Sequence, residues 1–130
     1  MKIGELAQQS GCLVETIRYY ERVGMLAPPE RSANNYRSYG RAHAERLAFI
    51  RHCRALDMTL DEIRTLLALR DRPEQDCGEV NDLLDRHIAD VGARIAALTT
   101  LESQLRELRG RCKTLDATRS CAILGALGAA

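Results

Sequence analysis

The chain has 130 residues with a formal net charge of +1, one Phe and no Trp, so we expect one domain or a small domain with an extension. Its apolar residues are mostly Leu, Ala and Ile, which suit helix packing better than a β-sandwich. No run of about 18 apolar residues and no signal-peptide pattern is present, which excludes a membrane span and leads us to expect a cytoplasmic protein.

Two short helices are predicted at the start of the chain, at residues 3–9 and 14–23, joined by a tight turn at residues 10–12. This is the arrangement of a helix-turn-helix, whose second helix enters the major groove of DNA. Leu13 offers this second helix no side-chain cap, whereas Gly24 suits its C-terminal end. Residues 18–54 hold 8 Arg against 3 Glu, a charge balance that favours a polyanionic partner.

The early residues of the second helix are the candidates for contact with bases. Thr16 and Arg18 are placed to meet base edges, and Arg18 could form a bidentate pair with guanine or hold a phosphate. Tyr19, one residue further on, is expected to reach the DNA backbone.

A loop follows Pro28 and Pro29, and Asn34-Asn35 within it could turn a short hairpin with small flanking strands, which would form a wing. Its side chains supply charge, hydroxyl donors and flat apolar surfaces, a mixture that suits clamping of the DNA backbone. The candidate wing contacts are Arg31, Tyr36, Arg37 and Tyr39.

A third helix is predicted at residues 42–56, on which we expect Cys53 to pack in the interior and His43 and His52 to lie at the surface. Thr59 and Glu62 form a capping box that opens a fourth helix, which ends by Pro73.

The longest predicted element begins at Asp76, an N-cap residue that would place Cys77 in the first helical turn. Apolar residues then recur at spacings of three and four, which is typical of a coiled-coil seam. Since no helix of equal length exists in the chain, we expect a second copy as the partner. The helix ends at Gly110, before a polar loop at 111–120 and a short apolar helix at 122–127. The seam consists of Ile88, Val91, Ile95, Leu98, Leu101, Leu105 and Leu108.

Three of the five cysteines flank this helix. Cys77 lies at its start, and Cys112 and Cys121 lie beyond its end. The 32 residues from Cys77 to Arg109 span about 48 Å as a helix. Cys77 therefore cannot share a ligand with the other two thiols of its own chain, and a shared site would need an antiparallel dimer.

Three thiolates would form a soft, negatively charged site that selects heavy metals over magnesium or calcium. Tetrahedral zinc requires a fourth protein ligand, but the only further candidate ligand in the loop at 111–120 is Asp116. A three-coordinate site points to lead(II) or mercury(II), or to cadmium(II) if a water or carboxylate completes its shell, whereas copper(I) ranks lower.

Two other functions fit parts of the pattern. A disulfide between Cys112 and Cys121 would make the protein a thiol-oxidation sensor, although it leaves Cys77 unexplained. A coiled-coil metal-sequestering protein would need no DNA-binding half, so the Arg-rich winged motif disfavours it. We find no nucleophile–base pair, phosphate loop or paired carboxylates, and we therefore expect no enzyme.

The motifs at residues 15–21, 24–26, 36–39 and 60–63 resemble the MerR family of bacterial transcription regulators. The stretch from Phe49 through Asn81 looks most like the cadmium- and lead-responsive subgroup, the CadR/PbrR type. The spacing of the three cysteines also resembles that of the mercury-responsive members.

The resemblance implies a mainly α fold: a winged helix-turn-helix DNA-binding domain at 1–72, a long antiparallel coiled-coil dimerisation helix at 73–110 and a metal-binding loop with a short helix at 111–130. It also implies a homodimeric activator that binds palindromic double-stranded promoter DNA and acts with RNA polymerase. The effector would be one soft divalent ion per subunit at the dimer interface, either lead or cadmium, with mercury and zinc as alternatives. Metal binding would distort the promoter.

Overall fold

The computed structural model describes residues 1–31, 37–115 and 117–129, and of Arg37 only the backbone. Within these residues the fold is mainly helical, as predicted, and the chain forms two compact units, Met1–Leu83 and Leu84–Ala130. No described helix is long and apolar enough to cross a membrane. The elements are α1 Ile3–Ser10, α2 Val14–Arg22, β1 Glu30–Arg31, β2 Arg37–Ser38, α3 Arg41–Ala55, α4 Leu60–Arg70, α5 Gly78–Gly110, a 3-10 turn Thr118–Ser120 and α6 Ala122–Gly128.

The helix-turn-helix is built by α1 and α2. Gly11 ends α1 with a φ of 70°, a left-handed conformation that glycine adopts without steric cost. Leu13 provides no side-chain cap to α2, as its sequence predicted. At the other end Gly24, with a φ of 79°, donates to the Glu21 carbonyl at 3.2 Å, while Met25 donates to the Tyr20 carbonyl at 2.8 Å. These two bonds form a Schellman motif, which fixes where the helix stops.

The core of the first unit lies where α1, α2, α3 and α4 meet. Its most buried side chains are large aliphatic groups from each of these helices, so the helix-turn-helix rests on the connecting helices. Burial of this kind contributes roughly 1.5–3 kcal/mol per large aliphatic side chain. The side chains with no exposed surface are Leu6, Ile17, Leu47, Ile50 and Ile63.

The turn between α3 and α4 confirms the predicted capping box. The Thr59 amide donates to Oε1 of Glu62 at 2.9 Å, and the Glu62 amide donates to Oγ1 of Thr59 at 3.1 Å. Cys53 is buried on α3, as expected. The expectation that His43 lies at the surface is wrong: it is buried, its Nδ1 accepts from the Gly40 amide at 3.0 Å and its Nε2 donates to the Pro28 carbonyl at 3.2 Å.

The wing is a two-stranded antiparallel sheet in which Glu30 pairs with Ser38 and Arg31 with Arg37. The predicted turn at Asn34-Asn35 and the candidate contact Tyr36 lie outside the described residues. Tyr39, which was predicted as a wing contact, follows β2 directly and is buried.

The long helix α5 has 33 residues, which corresponds to about 50 Å of helix. It begins at Gly78, so the predicted start is one residue early, and Cys77 stands immediately before the helix rather than in its first turn. The Asp76 carboxylate caps the Gly78 amide at 2.8 Å, and the Cys77 carbonyl accepts from the Asn81 amide at 2.9 Å. A row of large apolar side chains along α5 is exposed in the single chain: Leu84, Ile88, Ile95, Leu98, Leu101 and Leu105.

Candidate DNA-binding surface and metal site

The recognition helix α2 turns one face inward and the other outward. Ile17 and Tyr20, three residues apart, are buried in the core. Arg18 is therefore exposed, and Thr16 and Tyr19 are half-buried at the edge of the same face. A guanidinium that projects from the early turns of a helix-turn-helix has the reach and the donors to meet guanine or phosphate.

Tyr19 is held in place by its neighbours on α2. Its ring centroid lies 6.0 Å from that of Tyr20, and the Arg22 guanidinium carbon lies 5.7 Å above the ring. A guanidinium over the face of an aromatic ring is attracted to it, which favours this position of the Tyr19 side chain. Burial raises the pKa of Tyr20, so its phenol stays neutral within the fold. Beside these rings an open cleft of about 310 Å³ is lined by Glu15, Thr16, Tyr19, Tyr20, Arg54 and Leu60.

The wing presents Arg31 at the surface, whereas Tyr39 supports it from within. Tyr39 is 3% exposed, and its hydroxyl donates to Oε1 of Glu21 on the recognition helix. Its ring meets that of His43 edge-on, with centroids 5.1 Å apart. The hydroxyl is thus used inside the protein, so Tyr39 positions the wing. Tyr36 and the side chain of Arg37 lie outside the described residues, and their contacts with DNA remain predictions.

Two arginines of the basic segment have structural roles that the charge count did not reveal. Arg51 donates from Nη1 to the Ser10 carbonyl and so joins α3 to the end of α1. Arg46 donates from Nε to the Met25 carbonyl at 2.6 Å and from Nη1 to Oδ1 of Asp71 at 3.0 Å. The positive charge that faces DNA is therefore smaller than the sequence total suggests. Nothing in the helical periodicity could have identified these bonds, because they join residues 21 to 41 positions apart.

Cys112 and Cys121 both lie in the second unit, and the Cys112 thiol is one of the groups that lower the pKa of the Cys121 thiol. Both thiols are half-buried and reduced. Cys112 follows α5, where Nη1 of Arg109 donates to its carbonyl at 2.9 Å. Cys121 directly precedes α6 and follows the 3-10 turn, and its carbonyl accepts from the Gly125 amide at 3.1 Å. The backbone on both sides of the pair is thus held by ordered structure.

The fold favours the thiolate form of Cys121. The Leu124 amide contributes most to lowering the pKa of this thiol; the Ile123 amide and the Cys112 thiol add to the effect, and partial desolvation opposes it. Backbone amides at the start of α6 therefore prepare a sulfur ligand, since metals bind the thiolate. The Cys112 thiol donates to the Thr114 carbonyl at 3.3 Å.

A cavity of about 420 Å³ beside Cys112 leaves room for a ligand. Among the described residues its lining contains one thiol, two basic side chains and no carboxylate: Arg109, Gly110, Cys112, Lys113, Thr114, Leu115 and Ile123. Asp116, the carboxylate that the sequence offered, lies outside the described residues.

The described part of one chain holds no group of three or more His, Cys, Asp or Glu side chains that could bind a metal. Cys77 is exposed and stands before α5, whereas Cys112 follows it. Cys112 and Cys121 therefore follow the 33 helical residues of α5, and Cys77 precedes them. The donor chemistry suits a soft metal ion, but one chain supplies an incomplete set.

Two family models match the chain. The MerR HTH family regulatory protein model matches residues 1–69, and the model described as MerR, DNA binding matches residues 44–108. The chain belongs to the MerR family. As a member of this family it is a DNA-binding transcription regulator rather than an enzyme.

Two of the solved structures that this chain resembles contain a heavy-metal ion. The crystal structure of the transcription regulator PbrR691 from Ralstonia metallidurans CH34 in complex with lead(II) is 53% identical, with a TM-score of 0.89 over 98% of this chain and 99% of that one. The mercury(II)-bound MerR of Bacillus megaterium MB1 is 35% identical, with a TM-score of 0.78 over 98% of both chains. The HTH-type transcriptional regulator ZntR homolog of Haemophilus influenzae is 47% identical over 116 residues, 89% of this chain and 86% of that protein.

Proposed function

We propose that this regulator is a homodimeric activator of the cadmium- and lead-responsive subgroup, which switches on metal-resistance genes. Each of its two metal sites combines Cys77 of one subunit with Cys112 and Cys121 of the other. Residues 1–72 bind DNA, residues 73–110 form the dimer, and residues 111–130 complete the metal site.

The separation of the cysteines along α5 is the observation that carries the proposal. Cys112 and Cys121 follow a continuous helix of 33 residues, whereas Cys77 immediately precedes it. A second copy that ran antiparallel along α5 would bring its own Cys77 to the end where the pair lies. The two halves of the donor set then meet twice in one symmetric dimer.

The exposed apolar row on α5 supports the same arrangement. Ile95 and Leu98 are 61% and 63% exposed in the single chain, and Leu105 is 57% exposed. Large apolar side chains at spacings of three and four call for a partner helix. A second α5 matches this row in length, so an antiparallel coiled coil buries it along its whole extent.

Two arguments favour lead or cadmium as the effector: the three thiolate donors, and the similarity of this chain to a lead(II)-bound regulator. Lead(II) accepts three thiolates, whereas tetrahedral zinc would require a fourth protein ligand. The 53% identical relative is bound to lead(II), and the 35% identical one to mercury(II). Lead or cadmium is therefore the proposed effector, one ion per site, with mercury and zinc as the competing ions.

The DNA partner is double-stranded promoter DNA with a palindromic operator, which matches the two-fold symmetry of the dimer. Thr16 and Arg18 meet base edges and Tyr19 and Arg31 meet the backbone, together with Tyr36 and Arg37 on the wing. Metal binding couples the two subunits, distorts the operator and lets RNA polymerase engage the promoter. This is allostery between a metal site and a DNA site.

Subunit mixing tests the shared site. A dimer formed from one Cys77→Ser subunit and one Cys112→Ser subunit has one site with all three thiols and one site with a single thiol. We expect lead binding near half the wild-type stoichiometry in this heterodimer and almost none in either homodimer. The measurement is lead(II) titration, followed through the thiolate-to-metal charge-transfer absorption of a tagged, purified heterodimer.

Cys53→Ser is the matched control, because this cysteine is buried and lies outside the proposed site. It should bind two ions per dimer. A heterodimer that binds no more lead than the two mutant homodimers would refute the shared site. A promoter reporter with lead, cadmium, mercury and zinc then ranks the effectors, and a response to zinc alone would overturn the subgroup assignment.

A further inference from the structure

We propose that Arg46 transmits the metal signal to the recognition helix, because it joins the segment that carries Cys77 to the backbone that follows α2. Arg46, its bonding partners and Cys77 all lie in the first unit. The direction of the signal rests on the proposed function, because it requires Cys77 to be a metal ligand. Arg46 acts as a positioning residue and requires no contact of its own with metal or DNA.

Arg46 lies on α3 and bonds to two segments that are far apart in the sequence. Its Nε donates to the Met25 carbonyl at 2.6 Å. Its Nη1 donates to the carboxylate of Asp71, with 3.0 Å to Oδ1 and 3.3 Å to Oδ2. The Arg46 side chain is only 22% exposed, and hydrogen bonds from a charged donor are stronger than those between neutral groups. One guanidinium thus fixes the two segments to each other.

The Met25 bond leads to the end of the recognition helix. The Met25 amide donates to the Tyr20 carbonyl at 2.8 Å, within the motif that ends α2. Met25 is 1% exposed, so the surrounding core holds the residue in place. A displacement of the Arg46 guanidinium is therefore passed to the C-terminal end of α2.

The Asp71 bond leads to the start of α5. Asp71 is the C-cap residue of α4, and residues 72–76 are all that separate it from Cys77. This link contains a turn in which the Gln75 amide donates to the Arg72 carbonyl at 3.2 Å. Because so short a link has few internal degrees of freedom, a displacement of Cys77 on metal binding would also displace Asp71.

A cleft beside Arg46 shows why this side chain matters for the connection. It has a volume of about 610 Å³ and lies between the segment after α2, the first turns of α3 and the end of α4. Arg46 and Asp71 both line it, so apolar packing between these segments is incomplete at this place. The planar guanidinium spans the gap with bonds of fixed direction, whereas apolar contacts are non-directional.

The test compares Asp71→Ala and Arg46→Lys with Glu45→Ala as the matched control. Glu45 lines the same cleft, its side chain is 55% exposed against 57% for Asp71, and it forms an ion pair with Arg41 at 3.0 Å. Arg46→Lys retains the charge but loses the fork that reaches both acceptors. Each purified dimer is titrated with lead(II) in the absence of DNA and then bound to operator DNA that carries a fluorescent donor and acceptor on either side of its centre. A promoter reporter measures transcription.

We expect Asp71→Ala and Arg46→Lys to bind lead(II) and the metal-free operator within about twofold of the wild type, since loss of a partly exposed ion pair changes stability little. The lead-induced changes in energy transfer and in transcription should fall at least about fivefold, the lower end of the range for allosteric coupling. The double variant should lose no more than either single variant, because each already breaks the connection. Glu45→Ala should respond as the wild type does.

Three results would overturn the transmission by Arg46. The first is a full lead response in Asp71→Ala. The second is an equal loss in Glu45→Ala, which would assign the effect to the charge of the cleft. The third is loss of lead binding or of metal-free operator binding in Asp71→Ala, which would assign the effect to the fold. A wild-type protein that responds to none of lead, cadmium, mercury and zinc, or a Cys77→Ser protein that responds fully to lead, would instead refute the proposed function, and this proposal with it.

Discussion

The hydroxyl of Tyr39 donates a hydrogen bond to Oε1 of Glu21, which joins the base of the wing to the last turn of the recognition helix. Tyr39 is buried and Glu21 is half-buried. This hydrogen bond therefore joins the wing to α2. Its acceptor is a charged carboxylate, and such bonds are stronger than those between neutral groups.

Tyr39→Phe should destabilise the fold by about 2 kcal/mol, because it leaves a half-buried carboxylate without its phenolic donor. Urea denaturation at fixed protein concentration measures this as a lower midpoint with an unchanged slope. Tyr19→Phe is the matched control, since it removes a hydroxyl from the edge of the same helix and should change stability by no more than about 0.5 kcal/mol. Equal effects of the two substitutions would mean that the Glu21 bond contributes little.

The sequence predicted the helices well because their signals are local. The Thr59 capping box, Gly24 after α2 and the spacing of apolar residues on α5 each act within a few positions of the residues that they organise. Element ends were therefore correct to within one or two residues, and even the start of α5 differed by only one.

The errors in the sequence prediction concern long-range contacts. His43 was expected at the surface, but its Nε2 bonds to the Pro28 carbonyl, which lies 15 residues away in the chain. Arg46 and Arg51 were counted as charge for DNA, yet both are committed to carbonyls across the core.

Gly11→Ala should destabilise the fold more than Gly24→Ala does. Both glycines have positive φ, so each substitution carries a left-handed strain of about 1–2 kcal/mol. A Cβ on Gly11 would also lie 2.6 Å from Nη1 of Arg51, whereas one on Gly24 meets nothing within 4 Å. The extra cost is displacement of the Arg51 bond to Ser10, about 1 kcal/mol.

A double-mutant cycle isolates the contribution of the displaced Arg51–Ser10 hydrogen bond to the loss of stability in Gly11→Ala. In an Arg51→Ala background the difference between Gly11→Ala and Gly24→Ala should vanish, since nothing then obstructs the new methyl group. Thermal denaturation of the four variants and their parents gives the comparison. A difference that persists without the arginine would assign it to backbone strain at Gly11 rather than to the displaced bond.

Leu98→Asp should weaken the dimer at least about 100-fold, because the side chain occurs twice in a symmetric interface and each burial contributes roughly 1.5–3 kcal/mol. Leu98 is 63% exposed in the single chain, which fits a side chain that a partner covers. Thr100→Asp is the matched control, since it places the same charge about 200° around the same helix. Sedimentation equilibrium measures both, and equal weakening would contradict the proposed seam.

Leu124→Pro should raise the pKa of Cys121, because proline has no amide hydrogen and the Leu124 amide is the largest cause of the lowered pKa. Proline at Leu124 removes no hydrogen bond within the helix, because this amide has no helical partner, but it disfavours the helical conformation of Ile123. Ala122→Pro is the matched control: it removes an amide from the same turn that is not among the donors to this thiol. The rate of Cys121 alkylation by iodoacetamide, followed from pH 6 to pH 10 by mass spectrometry of the Cys112→Ser background, reports the thiolate fraction. The titration curve should move to higher pH in Leu124→Pro and stay in place in Ala122→Pro.

Because metals bind the deprotonated thiol, lead affinity of the Leu124→Pro variant in the wild-type background should also fall progressively as the pH drops below the raised pKa. An unmoved alkylation curve would mean that the start of α6 does not activate this sulfur.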